Sequence, residues 1–311
     1  MTRVLAVSDL HVGHPGNREV VDLIRPTTPD DWLIVAGDVG ERIEHIRGVL
    51  AELRARFAKV IWVPGNHELW TTARDPGPRR GEGRYRRLIA ECRALGVLTP
   101  EDPYPVWEGP GGPVALVPMF LLYDYTFLPR GARTKADALE LARARGTVAT
   151  DEQLLAHEPY DSREQWCRAR VEHTRSRLDA MDPALPLVLI NHFPLLREQT
   201  RMLWHAEFAP WCGTVLTADW HRTYPVRCVV YGHLHIRRTD HFDGVRFEEV
   251  SLGYPREWRR RGLPDPLLRE ILPGPSSSVV GARARRAVGG AVRAATALTR
   301  PAAARRGRTT P

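Results

Sequence analysis

The amino-acid sequence predicts an α/β fold, and two observations support this class. First, short apolar runs alternate with longer segments of helical periodicity, such as 41–57, which follows the run 33–36. Strands that alternate with helices in this way are typical of parallel βαβ units. Second, five of the apolar runs are followed within a few residues by side chains of metal-binding type. The five runs are 4–7, 33–36, 60–63, 187–190 and 229–231.

The side chains that follow these runs are carboxylates, imidazoles and one amide. They are Asp9, His11, Asp38, Asn66, His67, His192, His233 and His235. Open α/β sheets bind their ligands at the carboxyl ends of the strands, so we expect these side chains to meet there. The segment 9–11 is expected to continue the first strand, which would point Asp9 and His11 to the same side. His14, next to a Pro-Gly turn signal, is expected to be a bystander.

The chemistry of these side chains favours divalent metal ions. Imidazole, carboxylate and amide ligands without a thiolate suit Mn, Fe, Zn, Co or Ni and do not select among them. The candidate ligands outnumber the roughly four that one tetrahedral site needs, so we expect two ions with Asp38 between them. Two ions about 3.5–4 Å apart would deprotonate a shared water and hold the attacking and leaving oxygens of a phosphoryl group.

Five short motifs, in this order and spacing, resemble those of the calcineurin-like metallophosphoesterase superfamily. They are DLH at 9–11, GDVGE at 37–41, GNHE at 65–68, NH at 191–192 and GHLH at 232–235. The resemblance spans residues 1 to about 252. It implies a sandwich of two β-sheets flanked by helices (α/β/β/α), whereas the strand pattern alone supports only an α/β sandwich.

The resemblance also implies roles for individual residues. Asp9, His11, Asp38 and His235 would hold one metal ion. Asp38, Asn66, His192 and His233 would hold the other, with Asp38 bridging the two. His67 resembles the catalytic histidine of the family, which lies near the leaving group without binding metal. Glu41 is expected to orient His67, as carboxylates orient imidazoles in other sites.

We therefore expect a metal-dependent phosphoric ester hydrolase, a phosphatase or phosphodiesterase, in which a hydroxide between the metals attacks phosphorus in line. The substrate would be a phosphorylated small molecule, a nucleotide or a protein. One alternative is a nuclease or a cyclic-nucleotide phosphodiesterase, which a neutral body disfavours. A second alternative is a non-catalytic metal-binding scaffold of the same fold, which the intact His67 disfavours.

Charge divides the chain into two parts. The net charge is +8, and residues 273–311 contain eight arginines and no acidic residue, which leaves 37 basic and 37 acidic residues in 1–272. We expect a metallophosphoesterase domain over 1–272, with irregular insertions at about 119–161 and 195–224. The Ala/Arg-rich tail 273–311 is expected to be disordered and able to contact an anionic surface or nucleic acid. Nucleic acid is not the favoured partner.

Cysteine usage and hydropathy favour a cytoplasmic location. The four cysteines form no CxxC pair and are expected to be reduced. No apolar run reaches the roughly 20 residues of a transmembrane helix, and no signal peptide fits before the first strand.

Two further groups of side chains are candidates for the site. The loop aromatics are expected to close a small core in preference to lining a substrate pocket. They are Tyr123, Tyr125, Trp204 and Trp211. Four arginines that follow the ligand motifs are candidate phosphate clamps. They are Arg74, Arg79, Arg80 and Arg197.

Overall fold

Two β-sheets lie at the centre of the structure, a computed structural model that describes residues 2–72 and 79–274. The strands are β1 (Val4–Val7), β2 (Trp32–Val35), β3 (Lys59–Trp62), β4 (Val106–Trp107), β5 (Val114–Pro118), β6 (Leu187–Ile190), β7 (Val226–Tyr231), β8 (Arg238–Phe242), β9 (Val245–Glu249) and β10 (Arg269–Leu272). The first sheet has the order β10-β1-β2-β3, and the second has the order β4-β5-β6-β7-β9-β8. In each sheet the central strands are parallel. At the edges, β10 pairs antiparallel with β1, β4 with β5 and β8 with β9.

The α-helices connect the strands and cover the sheets. They are α1 (Asn17–Val20), α2 (Ile43–Arg56), α3 (Asn66–Leu69), α4 (Gly81–Ala94), α5 (Lys135–Ala144), α6 (Asp151–Leu154), α7 (Arg163–Asp179), α8 (Trp220–Thr223) and α9 (Pro255–Trp258). Short 3-10 helices lie at Val21–Leu23, Arg197–Met202, Ala206–Trp211 and Val215–Thr217. Helix α2 forms because its apolar residues recur at helical spacing and bury one face. Ser162 caps the N-terminus of helix α7, because its hydroxyl accepts a hydrogen bond from the backbone amide of Gln165.

Alternate residues of the strands pack into two different cores. Val4 and Ala6 of β1 belong to a cluster with Val188 and Val230 of the second sheet. Leu5 and Val7 belong instead to the larger cluster that contains the buried side chains of the helices. Because successive side chains of a strand point to opposite faces, one face of β1 meets the other sheet and the other face meets helices. The expected two-sheet sandwich flanked by helices is therefore confirmed.

The register of the strands places their carboxyl ends side by side. Val7 pairs with Val35 and Val35 with Trp62 in the first sheet. Ile190 pairs with Val230 in the second. The two sheets meet directly at this end, where the Ser8 amide donates to the Val250 carbonyl at 3.1 Å. Loops from five strands thus open into one region.

Two local predictions also follow from the sequence, because Asp243-Gly244 is a dipeptide typical of hairpin turns and Asn17 has the residue type of a helix cap. The hairpin at Asp243-Gly244 is confirmed, since both residues have the positive φ of a type I′ turn, 50° and 82°. Asn17 was expected to cap the helix that follows, but Gly16 holds the cap position. The Asn17 amide is buried and donates to the carbonyls of Leu10 and Gly253, so its hydrogen bonds join two loops and do not cap a helix. Strand β10 was not expected.

The boundary proposed at residue 272 stays a prediction. Residues Met1–Pro273 form one compact unit of the chain. The tail from residue 275 onward, with its expected disorder and its arginines, lies outside the described residues.

Two glycine substitutions test this account of the backbone. Gly48 lies inside α2, and an added Cβ would meet no atom within 4 Å. Since glycine is a poor helix former, Gly48→Ala should raise the free energy of unfolding by about 0.5–1 kcal/mol. Gly244→Ala, at φ 82°, should lower it by about 1–2 kcal/mol. Urea unfolding of the full chain measures both, and a destabilised Gly48→Ala variant would contradict the assignment of α2.

Candidate metal centre

The loops at the carboxyl ends of the strands bring the predicted ligand side chains together. Three groups of side chains could each hold a metal ion, and they share members. They are Asp9, His11 and His235; His11, Asp38 and His67; and Asp9, Asp38 and His192. The Asp9 Oδ1 atom lies 3.0 Å from His235 Nε2. His192 Nε2 lies 3.4 Å from Asp38 Oδ2. The Asp38 Oδ2 atom also lies 3.8 Å from His11 Nε2, so the Asp38 carboxylate is close to both His11 and His192.

Three buried side-chain atoms of the ligand set proposed for the second ion have no hydrogen-bond partner among the described residues. They are Asn66 Oδ1, His192 Nε2 and His233 Nε2. The Asn66 amide nitrogen donates to Asp151 at 2.9 Å, which leaves its oxygen for another partner. The His192 Nδ1 atom lies 2.9 Å from the Ala36 carbonyl, which leaves Nε2. Buried polar atoms are rarely left without partners, so these atoms fit a divalent ion.

Five of the proposed ligands adopt a left-handed backbone conformation. The φ angles are 54° for Asp9, 41° for His11, 54° for Asp38, 71° for His233 and 53° for His235. The expectation that residues 9–11 extend β1 is therefore wrong, because the chain turns at Asp9. Such conformations cost about 1–3 kcal/mol each and persist at functional sites where the surroundings enforce them.

The glycines of the motifs allow this close approach. Gly37 has φ 88°, and a Cβ there would lie 2.6 Å from His192 Nδ1. A Cβ on Gly65 would collide with the Asp38 carboxylate, and one on Gly232 with the Asp9 carboxylate. None of these three glycines can be replaced by a residue with a side chain unless the neighbouring ligand moves.

Glu68 fixes the loops that carry Asp38 and Asn66. Its carboxylate is buried and accepts from the amides of Asp38, Val39 and Gly65 at 2.9, 2.6 and 2.9 Å. Burial, and next the charge of Asp38, raise the pKa of Glu68 to about 8. Sequence reasoning included Glu68 in a motif but gave it no role.

Opposite charges hold the rest of the centre together. Burial alone would raise the pKa of Asp9 and of Asp38, but His235 and His192, respectively, lower both below the usual range. Burial opposes a charge on His192, yet Asp38 raises its pKa to about 10. Burial lowers the pKa of His11 to about 3. The carboxylates are therefore anionic and select cationic partners.

His67 lies beside this cluster with its two nitrogens in different environments. Its Nδ1 atom is 3.0 Å from Glu41 Oε1, as the predicted orienting contact requires. Its Nε2 atom is 3.4 Å from the Tyr254 hydroxyl and 3.8 Å from Asp38 Oδ2. Burial opposes protonation of His67, but Asp38 and Glu41 raise its pKa overall. Trp70 packs on the ring, with 3.7 Å between centroids.

Several supporting residues carried no signal in the sequence. Tyr254 stacks on His11 with 4.4 Å between ring centroids. Glu257 Oε2 lies 2.8 Å from His235 Nδ1 and sets the orientation of that ring. Asp151, from the segment 119–161, accepts from Asn66, Trp70 and Tyr123. The GHLH motif ends before Tyr254 and Glu257, and Asp151 is 85 residues from Asn66 in the chain.

A cavity of about 1050 Å³ opens over Asp38, His67 and His233. Of the four loop aromatics, Tyr123, Tyr125 and Trp211 are buried as expected, whereas Trp204 is 96 % exposed and lines this cavity. Three of the four predicted phosphate clamps are not there. Arg79, Arg80 and Arg197 do not line the cavity, and Arg74 lies outside the described residues. The arginines that do line it are Arg237, Arg256 and Arg261.

The remaining expectations concern the whole chain. The four cysteines are free and buried. Among residues 2–72 and 79–274, none of the helices has the length and apolar character that crossing a bilayer requires.

A single methyl group at Gly65 tests the close approach around Asp38. In Gly65→Ala the new Cβ would displace the Asp38 carboxylate, so we expect loss of bound divalent metal and of hydrolytic activity. Gly48→Ala is the matched control, because the same methyl group there meets nothing within 4 Å. Metal content after loading and desalting, read beside circular dichroism, measures the effect. A folded Gly65→Ala protein with full metal content would contradict this geometry.

Comparison with known proteins agrees with this site. The model of the calcineurin-like phosphoesterase family matches residues 2–237. The acyl-carrier-protein phosphodiesterase PptH of Mycobacterium tuberculosis is 60 % identical over 270 residues, which cover 87 % of this chain and 83 % of that protein. The crystal structure of phosphopantetheinyl hydrolase PptH from Mycobacterium tuberculosis aligns with a TM-score of 0.85 at 59 % identity. It covers 88 % of this chain and 97 % of that one.

The resemblance inferred from five short motifs and the expected enzyme class are therefore both confirmed. The family implies divalent metal ions, and the buried Asp and His side chains form groups that could bind them. The chain belongs to the calcineurin-like phosphoesterase family and is a metallophosphoesterase, a hydrolase of phosphoric esters.

Proposed function

We propose that this enzyme hydrolyses the phosphodiester that joins phosphopantetheine to an acyl-carrier protein, with two divalent ions at its centre. The observation that carries the proposal is the 60 % identity to a phosphodiesterase named for this substrate, over nearly the whole described unit. The intact set of metal-binding and catalytic side chains supports it, because each proposed ligand faces the same cluster.

The two ions would share Asp38. One ion would be held by Asp9, His11, Asp38 and His235. The other would be held by Asp38, Asn66, His192 and His233. The unpartnered atoms Asn66 Oδ1, His192 Nε2 and His233 Nε2 support the second set. When bound, such ions activate water and neutralise the charge of a phosphodiester. The ligand set suits Mn, Fe, Zn, Co or Ni and does not choose among them.

His67 donates a proton to the leaving oxygen in this proposal. Its Nδ1 atom is occupied by Glu41, so Nε2 is the atom available to the substrate. Burial opposes a charge on the imidazole, but Asp38 and Glu41 raise its pKa and so favour the protonated form. Glu41 acts through His67 as a positioning residue, and Trp70 limits the rotation of the ring by packing against it.

The size and lining of the cavity favour a long diester over a small phosphate ester. About 1050 Å³ is more than a bare phosphate group needs. Met202, Leu203, Trp204 and Phe208 contribute apolar surface to the lining. This surface suits the aliphatic, amide-containing pantetheine arm, and exposed apolar side chains of this kind mark binding sites.

Conversion of a holo-carrier protein to its apo form tests the proposed substrate. The purified, Mn-loaded protein should release phosphopantetheine, seen by mass spectrometry as a carrier that lacks this group. Asp38→Asn, which removes the negative charge of the shared carboxylate, should be inactive. Efficient hydrolysis of cyclic nucleotides or DNA with an unchanged holo-carrier would contradict the proposal and favour the alternatives.

His67 and His192 give a matched pair of variants for the proposed roles. His67→Ala should lower kcat by about 10²–10⁴-fold, the usual contribution of a general acid, while metal content stays near that of the wild type. His192→Ala removes a proposed ligand and should lower both activity and metal content. Elemental analysis with steady-state kinetics separates the two outcomes. Loss of metal from His67→Ala would assign that histidine to the metal instead.

A further inference from the structure

The mouth of the cavity carries a cluster of exposed arginines, which we call the arginine rim. Its members are Arg256, Arg259, Arg260 and Arg261, in α9 and directly after it. Arg256 and Arg261 line the cavity itself, and the Arg256 side chain is 80 % exposed. The rim thus lies where any macromolecular substrate has to approach.

The positive charge of the rim is scarcely compensated within the described structure. Glu257 and Asp265 are the two acidic residues in 254–265. Asp265 forms no ion pair with the rim among the described residues, and the Glu257 Oε2 atom already binds His235 Nδ1 and the Tyr254 amide. Arg256 is 4.0 Å from Glu257 Oε1, the one ion pair of the rim among described residues. Arg259 and Arg261 donate to backbone carbonyls, which carry no net charge.

The rim is also held in a fixed position relative to the centre. Trp258 Nε1 donates to Asn17 Oδ1 at 3.0 Å. The Asn17 amide in turn donates to the carbonyl of Leu10, in the loop that carries Asp9 and His11, and to the carbonyl of Gly253, which lies against His235. Arg259 adds a bond to the Pro15 carbonyl at 2.8 Å. A surface anchored to these loops can place a partner without first being ordered itself.

The covalent structure of the proposed substrate requires the carrier protein to contact the enzyme at the mouth of the cavity. A phosphodiester on a protein is attached through a side-chain hydroxyl, and in serine or threonine a single carbon separates that oxygen from the backbone. The scissile phosphorus therefore lies almost at the surface of the carrier protein. When it reaches the centre beneath the cavity, the surface around the modified hydroxyl has to lie against the cavity mouth.

We propose that the arginine rim is the docking surface for an acidic face of the carrier protein, next to its phosphopantetheinylated hydroxyl. This inference rests on the proposed function. Charge complementarity of this kind raises the rate of association and fixes the orientation of the partner. The charge of the rim should have little effect on the hydrolysis of small esters, because a small ester bound at the centre does not extend to the rim.

Charge reversal of two rim residues tests the inference in the full-length, metal-loaded enzyme. Arg259 and Arg260 do not line the cavity, and their side chains donate a single hydrogen bond to the described residues, from Arg259 to the Pro15 carbonyl, so Arg259→Glu/Arg260→Glu should fold normally. At low salt, kcat/KM for the holo-carrier should fall about 10–100-fold, with a far smaller change for bis-p-nitrophenyl phosphate. The matched control is Arg87→Glu/Arg168→Glu, which changes the net charge equally at exposed positions on α4 and α7. This control should retain both activities.

Three results would overturn the docking surface. They are an unchanged kcat/KM of the rim variant for the holo-carrier, an equal loss in the control variant, and a wild-type kcat/KM that does not fall with added KCl. Substitution of the carrier's acidic residues next to the modified hydroxyl by lysine should restore activity to the rim variant. A wild-type enzyme that cleaves the small diester but never the holo-carrier would instead reject the proposed function, and the rim inference with it.

Discussion

Asp9 and Asp38 lie buried as carboxylates at the carboxyl ends of β1 and β2, next to the buried carboxyl group of Glu68, whose pKa of about 8 favours its neutral form. Each buried carboxylate costs several kcal/mol in lost hydration unless its charge and lone pairs are satisfied. Backbone amides satisfy Glu68, and the seryl hydroxyls of Ser8 and Ser251 donate to Asp9 at 2.5 and 2.7 Å. The imidazoles of the second sheet and the cations that the family implies balance the remaining charge. The two sheets must meet at these residues, because neither sheet carries enough compensating groups alone.

This constraint explains which parts of the site could be predicted from the sequence. The proposed ligands were predictable because each follows an apolar run, and parallel strands bring their carboxyl ends together. The left-handed turns at Asp9 and Asp38 were not, since a single non-glycine residue at positive φ leaves no periodic signal. Glu257 and Asp151 were missed for a different reason. They lie in segments whose residues become neighbours of the ligands only through tertiary packing.

The periodicity of apolar residues explains which helices and strands could be predicted from the sequence. Helix α2 was predicted because its apolar stripe has a clear period, whereas β10 alternates little and begins with Arg269 and Glu270. Asn17 has the residue type of a helix cap, yet its burial lets it serve two loops at once. That hydrogen-bonding role now connects the ligand loops to Trp258 and to the arginines beyond it. Hydrogen bonds of Asn17 thus connect the centre to the surface at its mouth.

The role proposed for Asp38 is to hold two divalent ions at the meeting edge of the sheets. Anomalous X-ray diffraction from crystals of the Mn-loaded enzyme tests it most directly. The account predicts two anomalous peaks that share the Asp38 carboxylate, one beside His11 and His235 and the other beside Asn66, His192 and His233. A single peak, or a second peak bound by His67 in place of His192, would contradict it.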